Sequence, residues 1–282
     1  MVEGVSGLMR GAVQRLKAHG IASAALDARL LLQAALGVGH ADIIAEPNFE
    51  PNPFQLQAFE DFIGRRLKHE PVSKILGVRE FYGRNFQVTA DVLDPRADTE
   101  TLIDAALPML SPSGASRILD LGCGSGAIII TLLAERTLAS GVAVDLSAAA
   151  RHVTMRNGIN LGVAGRLQVL AGPWFELVGG SFDLIVSNPP YIRHVDLLGL
   201  PADVYNYDPH LALDGGADGL DCYRAIALGC GTHLAKAGQV LVEIGVGQAG
   251  EVADIFVEAG FNPAERHRDL AGHVRVLAFT PV

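Results

Sequence analysis

The stretch Asn188-Pro189-Pro190-Tyr191 follows an apolar run, "FDLIVS" (182–187), and its residue types suggest chemistry. Prolines have no N–H and a fixed φ. Two in a row stiffen the chain and leave carbonyl oxygens as its available backbone polar groups. Asn188 adds an amide oxygen. A rigid tip rich in acceptors suits an NH2 group, and the Tyr191 ring offers a flat face to a planar amide or base. Such a nitrogen is a poor nucleophile because its lone pair is delocalised. Hydrogen bonds from its N–H groups to Asn188 Oδ1 and the Pro189 carbonyl would orient it, and would favour the positive charge that forms as a methyl group arrives. Positioning of this kind can be worth about 7–11 kcal/mol. Asn188, Pro189 and Tyr191 are therefore the candidate catalytic residues, and Asn188, Pro189, Pro190 and Tyr191 the candidate substrate grip.

The second stretch is "RILDLGCGSGAIIITLLAE" (117–135), a strand, a glycine-rich turn and a helix. Gly122, Gly124 and Gly126 allow close approach of backbone to a ligand. Their GxGxG spacing differs from the GxGxxG of dinucleotide sites. Asp120 stands just before the turn, which suits a ligand bearing positive charge better than a phosphate. Asp145 ends the next strand, where such folds hold a ribose diol. A ribose joined to a cationic amino-acid tail is S-adenosylmethionine, with S-adenosylhomocysteine as its spent form.

The elements that must position these residues alternate along the chain. Strand candidates are residues 117–121, 141–146, 166–170, 182–187, 239–244 and 274–280, with helical stretches between most of them. Short, almost wholly apolar strands of this kind predict a parallel sheet covered on both faces. Residues 1–72 have helical periodicity instead, in "ALDARLLLQAAL" (25–36) and "FQLQAFEDFIGRRLKHEP" (54–71), the latter stopping at Pro71. Asp27 and the "RRLK" run (65–68) are expected on solvated faces. Residues 73–96 predict a β-hairpin linker around a glycine turn. The expected domains are thus 1–72 helical and substrate-binding, 73–96 linker and 97–282 catalytic.

Composition narrows the function classes. The 282 residues carry a formal net charge of −9, which disfavours a nucleic-acid partner. Cys123, Cys222 and Cys230 are far apart, and the nine histidines show no ligand spacing, so no metal site or disulfide is expected. No apolar run reaches bilayer length and no signal peptide is read, so a cytoplasmic location without membrane association is expected.

At this level the chain resembles the glutamine-N5 methyltransferases of class I peptide release factors. The resemblance rests on "EPVSKILGVREFYG" (70–83), "DPRADTE" (94–100), "DLGCGSGAI" (120–128), "VSNPPYI" (186–192), "YDPHLALDGGADGL" (207–220) and "LVEIGVGQ" (241–248). It implies a class I S-adenosylmethionine-dependent methyltransferase fold, with a mostly parallel seven-stranded sheet, helices on both faces, a small N-terminal all-helical domain and a β-hairpin linker. It also implies that Gly122, Cys123, Gly124, Ser125, Gly126, Asp145, Trp174 and Asn188 line the cofactor site, beside Asp120. Phe81, Arg96, Thr99 and Glu100 match positions near it. The implied partner is the GGQ loop of the release factor, an extended peptide entering between the two domains. Pro173, Asp94, Ala97 and Asp208 depart from the usual pattern. Pro173 stands where the pattern has an aspartate that accepts from the adenine amino group. Rival readings are a glutamine methyltransferase of a large-subunit ribosomal protein, a nucleic-acid amino-methyltransferase, an NAD-dependent oxidoreductase and a binding module without chemistry.

Overall fold

The structure is a computed structural model that describes residues 4–282. The chain forms two compact units: residues 1–77 with 201–207, and residues 78–200 with 208–282. Among the described residues no helix is long and apolar enough to cross a membrane.

The first unit contains α1 (Val5–Ala18), α2 (Ala24–Leu36), α3 (His40–Ala45), α4 (Pro53–Arg66) and α5 (Val72–Leu76). Leu16, Leu31, Leu32, Phe59 and Ile63 meet in one apolar cluster. Asn52 starts α4 through a capping box, exchanging hydrogen bonds with Gln55. That helix ends at Arg66, five residues before the expected stop at Pro71. Two expectations of exposure fail here. Arg66 is buried and its Nε donates to Asp27 Oδ2 at 2.7 Å, and Asp27 is buried with it. The two charges lie 39 residues apart in sequence, so their pairing could not be read from local spacing. Burying them together avoids the large cost of an isolated buried charge.

The second unit opens with the hairpin β1 (Val78–Phe81) and β2 (Arg84–Gln87). Its two-residue turn, Tyr82-Gly83, has both φ angles positive, as a type I′ turn requires. Then follow α6 (Glu100–Ala106), β3 (Arg117–Leu121), α7 (Ala127–Glu135), β4 (Ser140–Asp145), α8 (Ala148–Asn160), β5 (Leu167–Ala171) and β6 (Phe182–Ser187). The short helix α9 (Ala202–Tyr207) belongs to the first unit. The chain closes with α10 (Asp221–His233), β7 (Leu234–Glu243), α11 (Ala249–Glu258), β8 (Phe261–Arg268) and β9 (Val274–Pro281).

The sheet runs β5-β4-β3-β6-β7-β9-β8, parallel through β7, with β9 antiparallel to both of its neighbours. Successive strand residues point to opposite faces, and both faces are apolar. Ile118, Leu184 and Val186 pack with α6 and α7 residues, whereas Leu119, Ile185 and Val240 pack with α10 and α11 residues. This double coverage is why the strands read as unbroken apolar runs. Strand order reverses between β3 and β6. Crevices at the carboxyl ends of strands at such a switch point are where open α/β sheets bind ligands. Asp120 lies near the end of β3, and Asn188 follows directly on β6.

Candidate active site

The glycine turn after β3 is bent by three left-handed glycines, Gly122, Gly124 and Gly126, with φ of 74°, 55° and 79°. A Cβ on Gly126 would lie 2.7 Å from Ile130 Cδ1, so both conformation and space require glycine there. Side chains from β4 and α8 hold the turn. Asp145 Oδ2 accepts from Gly124 N at 2.8 Å, and Oδ1 accepts from Ser147 N at 2.8 Å. Thr154 Oγ1 donates to the Gly124 carbonyl at 2.9 Å, and Asn157 Nδ2 donates to the Ser125 carbonyl at 2.9 Å. Asn157 also exchanges hydrogen bonds with Gln87 of β2, which ties the hairpin to the glycine turn. Thr154 and Asn157 sit one helical turn apart on α8 and were not singled out from sequence. The i, i+3 spacing of two polar residues on the buried face was the only signal available.

A cavity of about 240 Å³ opens over this turn. Gly122, Gly124, Asp145, Pro173, Trp174, Asn188 and Pro190 line it, so Gly122 and Asn188, 66 positions apart, meet at one cavity. Asp91 and Cys222 line it too and lie outside every motif, while Leu211 comes from the "YDPHLALDGGADGL" block. Trp174 adopts φ of 49°, a conformation that a bulky residue reaches only under constraint. Its ring lies 4.0 Å from where a Gly122 Cβ would be. The tryptophan ring thus lies beside the bare backbone of Gly122, and both line the cavity.

Other expected cofactor residues lie behind this surface. Asp120, Cys123, Ser125 and Gly126 are not among the cavity-lining side chains. Cys123 is buried beside Thr154 Oγ1 at 3.3 Å, and burial raises its thiol pKa well above the ordinary value. Asp120 is fully buried, and no side chain donates a hydrogen bond to its carboxylate. Burial pushes its pKa up to about 7; the Asp145 charge adds to this and the Ile129 backbone N–H pulls the other way. A buried carboxylate without a side-chain partner beneath a glycine turn suits a cation bound above it.

Asp120 has a consequence for stability. Its folded pKa lies above its ordinary value, so the folded state holds the proton more tightly than the unfolded chain. Stability is then greatest below the ordinary carboxylate range and falls as pH rises toward about 7, by up to about 4 kcal/mol. Asp120→Asn removes the buried charge. We expect the unliganded variant to melt several degrees above the wild type at pH 8, the gap closing toward pH 4. Thermal melts across that range test this. A variant that melts lower at pH 8 would show that the carboxylate is compensated in the unliganded fold.

The tip after β6 is anchored from below and behind. Ser187 Oγ donates to the Leu121 carbonyl at 2.6 Å, joining the ends of β6 and β3. Asn188 Nδ2 donates to Thr99 Oγ1 at 3.2 Å, which leaves Oδ1 as the acceptor of that amide. The "LDGGADGL" segment packs on the chain leaving the tip. Ile192 N donates to the Leu213 carbonyl, Gly215 N to the Ile192 carbonyl and His194 N to the Gly216 carbonyl. A Cβ on Gly215 would stand 2.9 Å from the Pro190 carbonyl oxygen, and one on Gly219 2.5 Å from that of Tyr191. Those glycines thus permit backbone to lie on backbone. Gln248 Nε2 completes the support by donating to the Tyr191 carbonyl at 3.1 Å. Asn188 and Pro190 face the cavity. Pro189 is buried, and the Tyr191 ring packs against the core, 3.1 Å from a Gly245 Cβ position. Burial pushes the Tyr191 hydroxyl pKa up to about 12.

The departures from the usual pattern also have places. Asp208 accepts from Arg96 at 2.6 Å and from Asp94 N at 3.3 Å, so the shorter carboxylate is fully used. Pro173 lines the cavity and offers no side-chain acceptor.

Comparison with known proteins supplies the deciding observation. A release factor glutamine methyltransferase of Rhodospirillum rubrum is 46% identical over 96% of this chain and 82% of its own length. The chain belongs to the release factor glutamine methyltransferase family. One from Agrobacterium fabrum is 42% identical over 98% of this chain and 96% of its own. Residues 8–77 match the PrmC N-terminal domain and residues 97–198 the methyltransferase small domain. A methyltransferase structure from Pyrococcus furiosus superposes with a TM-score of 0.53 at 14% identity, covering 79% of this chain and all of that one, which confirms the class I fold. This methyltransferase thus carries its Asn-Pro-Pro-Tyr tip and its glycine turn on one switch point.

Proposed function

We propose that this protein transfers a methyl group from S-adenosylmethionine to the side-chain amide nitrogen (N5) of the GGQ glutamine in class I release factors. One observation carries the reading. Asn188 and Pro190 of the tip meet the glycine turn at a single cavity, in a chain whose family is named for a release factor glutamine. The cavity fits the cofactor. Asp145 lies at the end of β4 for the ribose hydroxyls, the Trp174 ring lies beside the glycine turn, and the buried Asp120 carboxylate favours positive charge above the turn. When bound, S-adenosylmethionine supplies an electrophilic methyl on a sulfonium and leaves as S-adenosylhomocysteine.

The residues of the tip do the rest. Asn188 Oδ1 and the Pro189 carbonyl accept the two N–H groups of the glutamine amide and turn its nitrogen toward the methyl. Both acceptors strengthen their hold as that nitrogen gains positive charge, which is stabilisation specific to the transition state. The nitrogen forms a bond to carbon as the sulfur–carbon bond breaks, and then loses a proton to solvent. The cation formed is strongly acidic, so no side-chain base is needed.

Mass spectrometry of a release factor incubated with the protein and cofactor tests the reading. The expected result is one added methyl mapped to the GGQ glutamine. A release factor left unmodified by a protein that binds the cofactor would move the search to ribosomal protein or nucleic acid.

A further inference from the structure

Glu243 ends β7 and takes no part in the reaction described above. The β6–β7 register pairs Ser187 with Val242, so Asn188 and Glu243 are the next residues on neighbouring strands and start toward the same side of the sheet. Glu243 is buried, and its Oε2 has no hydrogen-bond partner. Thr99, also buried, accepts from Asn188 Nδ2. We propose that Glu243 is a positioning residue which, acting with Thr99, fixes the direction of the Asn188 amide so that Oδ1 and not NH2 faces the substrate. This inference rests on the proposed glutamine reaction.

The argument is one of hydrogen-bond polarity. An amide can be turned over with almost no change in shape, so packing alone does not decide which end faces the cavity. An ionised carboxylate only accepts. It draws the Thr99 hydroxyl proton to itself, which leaves Thr99 Oγ1 as an acceptor, and the Asn188 NH2 is the donor that satisfies it. Thr99 and Asn188 are close enough to the carboxyl that both favour its charged form. A flipped amide would aim NH2 at the substrate NH2, and the reacting nitrogen would lose its acceptor.

Protonation would undo this. Burial pushes the Glu243 pKa up to about 7; Thr99, Arg275 and Asn188 pull it down and Asp98 raises it. The groups facing it come from every neighbouring element. Asp98 and Thr99 precede α6, Arg275 lies on β9 and is held by Asp98 and Asp269, Tyr191 follows the tip, and Tyr223 lies on α10. Once protonated, Glu243 can donate to Thr99, and the chain can run in reverse with the amide flipped. Activity should therefore fall as pH drops through about 7.

Glu243→Gln keeps shape but replaces an acceptor-only carboxylate with an amide that can turn its NH2 toward Thr99, and Thr99→Val removes the relay. Each is expected to lower kcat on a release factor by about 10–100-fold, with cofactor Kd within twofold by calorimetry. Thr99→Ser should recover most of the loss, and the double variant should be no worse than the poorer single one, as for groups acting as a unit. The acid limb of the wild-type kcat profile near pH 7 should be absent in Glu243→Gln. Turnover within twofold of wild type in both single variants would overturn the assignment. A wild type inert on release factors would instead overturn the reaction. In that case the side-chain amide resonances of Asn188, identified by their loss in Asn188→Ala, still decide. They should titrate near pH 7 in the wild type and stay fixed in Glu243→Gln, and a wild-type signal that does not titrate would refute the role of Glu243.

Discussion

Asn188→Ala is expected to lower kcat by about 10²–10³-fold, the usual effect of losing one transition-state hydrogen-bond partner. The fold should survive, because Asn188 is half-buried and β6 is fastened independently by Ser187 and by its register with β3 and β7. The cofactor should still bind, since most of the lining comes from the glycine turn, Asp145 and Trp174. The loss should therefore appear in kcat with the release factor and little in cofactor Kd. Asn188→Asp separates acceptance from placement. It keeps an acceptor of the same length, but it removes the NH2 that Thr99 receives and sets a second carboxyl against buried Glu243. Two close carboxylates resist double ionisation. The aspartate is expected to be nearly as poor as alanine near neutral pH. Turnover close to wild type in Asn188→Ala would rule out the amide clamp and leave the Pro189 carbonyl as the only grip on the nitrogen.

What was legible in the sequence follows from how local each signal is. The acceptor-rich tip and the glycine turn are contiguous motifs on apolar strands, and the sheet topology brings them together as parallel strands with helical crossovers must. Strand β8 was missed because "FNPAERHR" has Pro263 and a run of exposed polar residues. It sits at the sheet edge, where an apolar face is not required. The Asp27–Arg66 pair was misjudged because each charge sits on a helix whose pattern looks amphipathic; only tertiary packing brings the two together. The same holds at the site. Thr154 and Asn157 act by reaching the glycine turn from α8, and their i, i+3 spacing is the only local sign of it; Thr99 and Glu243 fall in the "DPRADTE" and "LVEIGVGQ" blocks, but nothing within either block announces that the two meet at Asn188. The depth of Asp120 was equally hidden. A residue just before a turn reads as lying at its mouth, yet its carboxylate is fully buried.

Asp145→Ala should act on the cofactor and not on the chemical step. In the structure the two carboxylate oxygens take the N–H groups of Gly124 and Ser147, and each oxygen keeps a further lone pair toward the cavity it lines. Removing the side chain deletes the acceptor proposed for the ribose and also releases the middle glycine of the turn. A lost hydrogen bond to a charged group costs about 1.5–3 kcal/mol. We expect the Kd for S-adenosylmethionine to rise by about 10–100-fold, while kcat at saturating cofactor stays within a few-fold of wild type. Asp145→Asn distinguishes the two contributions. An amide keeps one acceptor and gains a donor, so it can serve the ribose or the Gly124 N–H but cannot accept from both backbone groups as the carboxylate does. An affinity midway between wild type and alanine would mean that both contacts matter. An asparagine variant as weak as alanine would place the main effect in the tethering of the turn. An unchanged affinity in Asp145→Ala would remove the ribose role altogether and leave Asp145 as a brace for the glycine turn.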